Sequence, residues 1–104
     1  MLKIYNDGKR ITAALSGDLD HHAAREIRLE LDDVIARSRP ELLILDFEKV
    51  GFMDSSGIGL ILGRSRAVRA VGGELLVKNA RREIAEIIKI SGLGQLIAAQ
   101  CDVG

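Results

Sequence analysis

Aromatic side chains are nearly missing from this sequence. Two Phe, one Tyr and no Trp make up 3% of 104 residues, while 47% are hydrophobic. The core must therefore be built from Leu, Ile, Val and Ala, and the stacking platforms that hold single-stranded nucleic acid are absent. An excess of one charge is missing too. The 15 basic residues balance 15 acidic ones, so nothing draws the chain to nucleic acid or to an anionic membrane surface. One cysteine, Cys101, excludes a disulfide within the chain and leaves no basis for a Cys-based zinc site. It reads as a small apolar residue near the terminus. No apolar run reaches the roughly 20 residues that span a bilayer. Lys3, Asp7, Lys9 and Arg10 break up the start of the chain, against a signal peptide. The expectation is a cytoplasmic protein of one domain, residues 1–104, with no membrane or nucleic-acid partner.

The order of elements follows from periodicity. Residues 1–5 read as a strand, residues 6–9 (Asn-Asp-Gly-Lys) as a hairpin turn, and residues 10–16 as a second strand ended by Gly17. A helix enters over residues 18–24. Ile27, Leu31, Val34 and Ile35 form its apolar face, and Arg25, Glu26, Arg28, Asp32 and Arg37 a solvated one. The single proline, Pro40, stops it. Residues 42–45 are a continuous apolar run suited to a central strand, and residues 46–53 read as a long connection. A second helix, from about residue 55 to about residue 71, turns Ile58, Ile61, Leu62 and Val68 inward and Arg64, Arg66 and Arg69 outward. Gly72-Gly73 ends it. Residues 74–78 are a strand, Asn79 is placed to cap a helix over about residues 80–90, and residues 96–99 read as a short edge strand. The fold class is α/β: a mixed, largely parallel sheet of four to five strands in the order β-β-α-β-α-β-α, with one more strand at the end.

The stretch that core packing does not explain is residues 52–63, FMDSSGIGLILG. An acidic residue and two serines are good helix N-terminal residues. Glycine in a first turn costs roughly 1 kcal/mol against alanine, which suggests that Gly57 and Gly59 make room for a ligand or another backbone. Several chemistries can be weighed. A Walker loop is absent, and Gly57, Gly59 and Gly63 miss the dinucleotide fingerprint by one residue, with Asp54 set to repel a pyrophosphate. A nucleophile elbow fails because Asp54 stands two residues before Ser56. Asp20-His21-His22 resembles a metal-binding string, but adjacent helical residues point roughly 100° apart; Asp20 reads as a helix cap instead. No metal and no cofactor are expected. A hydroxyl at a helix N-terminus is also a good phosphoacceptor, since backbone amides and the helix dipole tolerate the new charge. Whether Ser55 and Ser56 are caps or a regulatory site stays open on these grounds.

Gly17-Asp18-Leu19-Asp20-His21-His22 together with Phe52-Met53-Asp54-Ser55-Ser56-Gly57-Ile58-Gly59 resembles the anti-sigma-factor antagonists, bacterial proteins of the STAS-domain family. The Asp-His-His string narrows the resemblance to the sporulation type. It runs through nearly the whole chain, including Gly72-Gly73-Glu74 and Ser91-Gly92-Leu93. Asp18 stands where glutamate is usual, and the chain's end at Gly104 implies a closing helix that is short or absent. The resemblance implies a regulator with no activity of its own. It implies binding to an anti-sigma factor serine kinase (SpoIIAB-like), which frees the sporulation sigma factor. It further implies phosphorylation of Ser56 by that kinase and resetting by a serine phosphatase (SpoIIE-like). Asp20, Asp54, Ser55, Ser56 and Gly57 match positions at or beside the kinase-docking surface, and the free protein is expected to be a monomer. The alternatives are an antagonist in a stress-response sigma pathway and, from another class, a small phosphate- or nucleotide-handling enzyme using residues 54–59.

Overall fold

Gly8-Lys9 is the two-residue turn that closes the first hairpin; Asn6 and Asp7, expected in the turn, pair with Ile11 and Arg10 as the end of the first strand. The computed structural model of the chain describes residues 2–98; Cys101 and the end of the expected terminal strand at Ala99 lie outside them. Strand β1 (Leu2–Asp7) pairs antiparallel with β2 (Arg10–Leu19). Gly8 takes φ +77°, and its N–H donates to Asn6 Oδ1 at 2.8 Å, a geometry that turns of this type require.

Helix α1 (His21–Ser38) then crosses to β3 (Leu42–Met53), and α2 (Ser55–Ala70) crosses to β4 (Glu74–Lys78). Both crossovers join parallel strands, and the sheet order is β1-β2-β3-β4. With right-handed crossovers and an order that never reverses, α1 and α2 fall on one face and pack together. Ile11, Ala13 and Leu15, Leu43, Leu45 and Phe47, and Leu75 and Val77 point into this face, meeting Ile27, Leu31 and Ile35 of α1 and Leu60, Ile61 and Val68 of α2. Arg39 ends α1 in the left-handed region, directly before Pro40. Gly72 at φ +89° ends α2, with Gly73 N–H returning to the Val68 carbonyl at 2.8 Å, as expected for a glycine-terminated helix.

Three expectations need correction. First, residues 46–53 are not a connection: β3 runs through to Met53, and β2 continues past Gly17 to Leu19. The pairing register slips between Ala14 and Ser16 and again between Gly17 and Asp18. At each slip β3 carries one more residue than β2, so buried positions fall at 43, 45, 47, 50 and 53 rather than alternating. Second, Asn79 does not cap a helix. It sits at φ +62°, a conformation asparagine tolerates, and its side chain donates to Asp46 Oδ1. Helix α3 (Arg82–Ile90) starts after Arg81 with no side-chain cap. Third, Leu96 closes a 3-10 turn (Gly94–Leu96), and Ile97 adds one parallel bridge to Val77 instead of a strand.

Candidate functional site: the paired helix starts

The site arises from how β2 and β3 end. They are parallel, and their last residues, Leu19 and Met53, are register partners. The next residue in each segment is an aspartate, and each aspartate caps a helix. Asp20 Oδ1 accepts from the Ala23 N–H at 2.9 Å, and Asp54 Oδ1 from the Ser56 N–H at 2.8 Å. Both have extended backbone, the usual N-cap conformation. Asp54 N–H returns to the Leu19 carbonyl at 3.3 Å, which ties the two starts together. Asp20, Asp54, Ser55, Ser56 and Gly57 are thus brought together at the C-terminal end of the two central strands.

At that end of the sheet the residues play different parts. Asp54 is the cap of α2, and neither serine is. Ser55 is exposed, whereas Ser56 is half-buried. Neither hydroxyl makes a hydrogen bond among the described residues. Gly57 is buried: a Cβ there would collide with Cγ of Met53 and lie 2.6 Å from its Sδ. The room expected at Gly57 is therefore filled from inside, by the end of β3. Gly59 has open space beside it and borders a groove.

That groove lies between α1 and α2. Its volume is about 460 Å³, and His21, Ala24, Arg25 and Arg28 of α1 face Ser56, Gly59 and Leu60 of α2 across it. The two histidines diverge. His21 lines the groove, while His22 Nε2 lies 3.5 Å from Glu26 Oε2. Deeper along the seam, Arg64 is 8% exposed, against the expectation that it points outward. Its Nε sits 2.9 Å from Asp32 Oδ1, off the hydrogen-bonding direction, and buried Nε and Nη1 have no hydrogen-bond partner among the described residues. Burial pulls the Arg64 pKa below its ordinary value; Asp32 opposes this and Arg28 adds to it. An arginine remains cationic under such a shift.

Sequence reasoning missed three features. Arg25 and Arg28 read as a solvated face, although with His21 they repeat at i, i+4 and i+7 with no acid between them on that stripe. Phe52 is 51% exposed on the last turn of β3, beside Asp18. An aromatic in a chain with so few was the available signal. Arg64 carried no signal, because its burial depends on how α1 crosses α2.

The STAS domain profile matches residues 5–103. The anti-sigma F factor antagonist of Paenibacillus polymyxa is 37% identical over 83 residues, covering 80% of this chain and 71% of that protein. The structure of the anti-sigma factor antagonist SpoIIAA in its unphosphorylated form superposes with a TM-score of 0.85 at 33% identity, covering 96% of this chain and 90% of that one. The Bacillus cell fate determinant SpoIIAA in the phosphorylated form superposes with a TM-score of 0.77 at 33% identity, covering 96% and 93%. The chain belongs to the STAS-domain family and, within it, to the anti-sigma factor antagonists.

Proposed function

We propose that this protein is the phosphorylation-controlled antagonist of an anti-sigma F factor serine kinase (SpoIIAB-like). The unphosphorylated form docks on the kinase through the end of the sheet that holds Asp20, Asp54, Ser55 and Ser56, and the sporulation sigma factor is released. Gly57 serves the same surface from below, by letting the first turn of α2 settle on Met53. Exposed Phe52 supplies an apolar anchor at its rim. The protein is the substrate in this cycle, and the chemistry belongs to its partners.

The observation that carries the reading is the state of Ser56. Asp54 satisfies its N–H, and its hydroxyl faces an open groove without a hydrogen-bond partner among the described residues. In the transfer, Ser56 Oγ attacks the γ-phosphorus of ATP held by the kinase. An O–P bond forms, the bond to the ADP oxygen breaks, and the serine proton passes through a kinase base to solvent. The phosphate adds about −1.5 to −2 charges next to Asp54 and Asp20, and the helix N-terminus accepts it without unfolding. A serine phosphatase (SpoIIE-like) then resets the switch. The phosphorylated SpoIIAA structure named above supports this reading by analogy.

Intact-mass spectrometry after incubation with the host kinase and ATP, followed by peptide mapping, tests it. One phosphate on Ser56 is expected. Phosphate on Ser55 would move the site by one residue, and no phosphate would overturn the switch.

A further inference from the structure

We propose that the groove between α1 and α2 is an internal phosphate cradle: once Ser56 carries a phosphoryl group, Arg25 and Arg28 bind it across the groove. This rests on Ser56 being the modified residue, and it adds where the phosphate goes.

The groove carries uncompensated positive charge. His21, Arg25 and Arg28 line one wall and Ser56 the other. Helical neighbours lie three and four residues apart, and those of Arg25 are His21, His22, Arg28 and Leu29, none of them acidic. Arg28 does have an acid at i+4, Asp32, but that carboxylate lies 2.9 Å from buried Arg64. Glu26 is beside His22, and Asp33 holds Arg37 at 2.8 Å. Among the described residues, neither Arg25 nor Arg28 has an ion-pair partner. Two guanidinium groups thus stand in a groove whose opposite wall carries an unbonded hydroxyl.

The groove also has room for a phosphate on the arginine side. Beyond the adjoining backbone of α2 and the two chain neighbours, no atom of the described residues lies within 4 Å of the position a Cβ on Gly59 would take, so the wall beside Ser56 is open to a tetrahedral group. Asp54 and Asp20, at the starts of α2 and α1, repel a dianion on the outer side, and the arginines attract it on the inner one. Guanidinium forks match phosphate oxygens in pairs. Modification therefore neutralises a cationic groove as well as adding bulk. A partner that docked against Arg25 and Arg28 loses both contacts at once.

The test uses the full chain with phosphoserine inserted at position 56 during translation, so no kinase is needed. Phosphorus NMR follows the second ionisation of the phosphate against pH. The groups facing it are His21, Arg25 and Arg28 of α1 and the cap carboxylates Asp20 and Asp54. Free phosphoserine titrates near 6. The cradle lowers this by about one unit, because the cations favour the dianion. In R25Q/R28Q the value returns toward 6, and R25K/R28K falls between. Both arginines are exposed, and circular dichroism checks that the variants stay folded. A wild-type value like that of a free peptide overturns the cradle. So does a lowered value that survives in R25Q/R28Q, which assigns it to the amides of α2. Failure of the kinase to modify Ser56 would instead defeat the proposed function while leaving this titration readable.

Discussion

Met53 occupies the space that a side chain on Gly57 would need. The last core residue of β3 thereby sets how far the first turn of α2 can descend toward the sheet. Gly57→Ala must push Met53 off its position, which is 3% exposed. Overpacking of this kind costs about 1–3 kcal/mol, offset by about 1 kcal/mol of helix propensity. Gly59→Ala meets open space and gains up to about 1 kcal/mol, yet it narrows the groove beside Ser56. Urea unfolding and kinase assays should separate the two: Gly57→Ala loses stability, whereas Gly59→Ala gains it and is phosphorylated more slowly.

Ser56→Ala should fold normally. Its side chain caps nothing, so the loss stays within about 0.5 kcal/mol. The variant binds the kinase and takes no phosphate, leaving a permanently active antagonist. Unfolding by circular dichroism would mean that the serine is structural.

Asp54 caps α2, and the proposed docking gives its charge a second, separable role. Alanine removes both and costs about 1 kcal/mol. Asparagine keeps the cap at nearly the same strength and deletes the charge. Asp54→Asn is expected to match the wild-type stability in thermal melts while binding the kinase more weakly in calorimetry. Equal affinity would confine Asp54 to capping.

Ser56→Asp places one negative charge at the start of α2. Like charges facing each other across an interface are costly, and a weakening of the kinase complex by about tenfold is expected in calorimetry. Asp is shorter than phosphoserine and carries half its charge, so the effect falls below that of the true modification. Wild-type affinity would count against an electrostatic switch.

Asp32→Ala strips buried Arg64 of its counter-charge. Asp32 is half exposed, so the cost is expected at about 1–3 kcal/mol, below that of a fully buried pair. Replacing both partners, Asp32→Ala with Arg64→Met, should recover most of it, and a double-mutant cycle in urea measures the coupling.

Much of this was legible in the chain itself. The turn at Gly8, the Pro40 stop, the Gly72-Gly73 end and the alternation of apolar runs with helical stripes each report a local preference, and local preferences survive folding. Asp20 was readable as a cap for the same reason. The length of β3 was not. Its second half, DFEKVGFM, breaks the two-residue alternation because two bulges insert extra residues, and a bulge is a property of two strands together. Asn79 looked like a cap because asparagine suits both caps and left-handed turns; its bond to Asp46 comes from a strand more than thirty residues away. Arg64 and the cationic groove depend on the packing of α1 on α2, which no window along either helix contains.

The two extra residues of β3 also constrain how this chain can change in length. Deleting one of them would erase its bulge and leave Met53 opposite Leu19, whereas inserting a residue outside a bulge would turn Met53 to the opposite side of the sheet, so the floor beneath Gly57 would vanish and the cap of α2 would rotate away from that of α1. Removing both leaves β2 and β3 equal in length and also keeps the floor. Length change in this segment is therefore tolerated at the two bulges, and a variant library scored for folding should recover deletion of Glu48 or Gly51 far more often than single insertions elsewhere in β3.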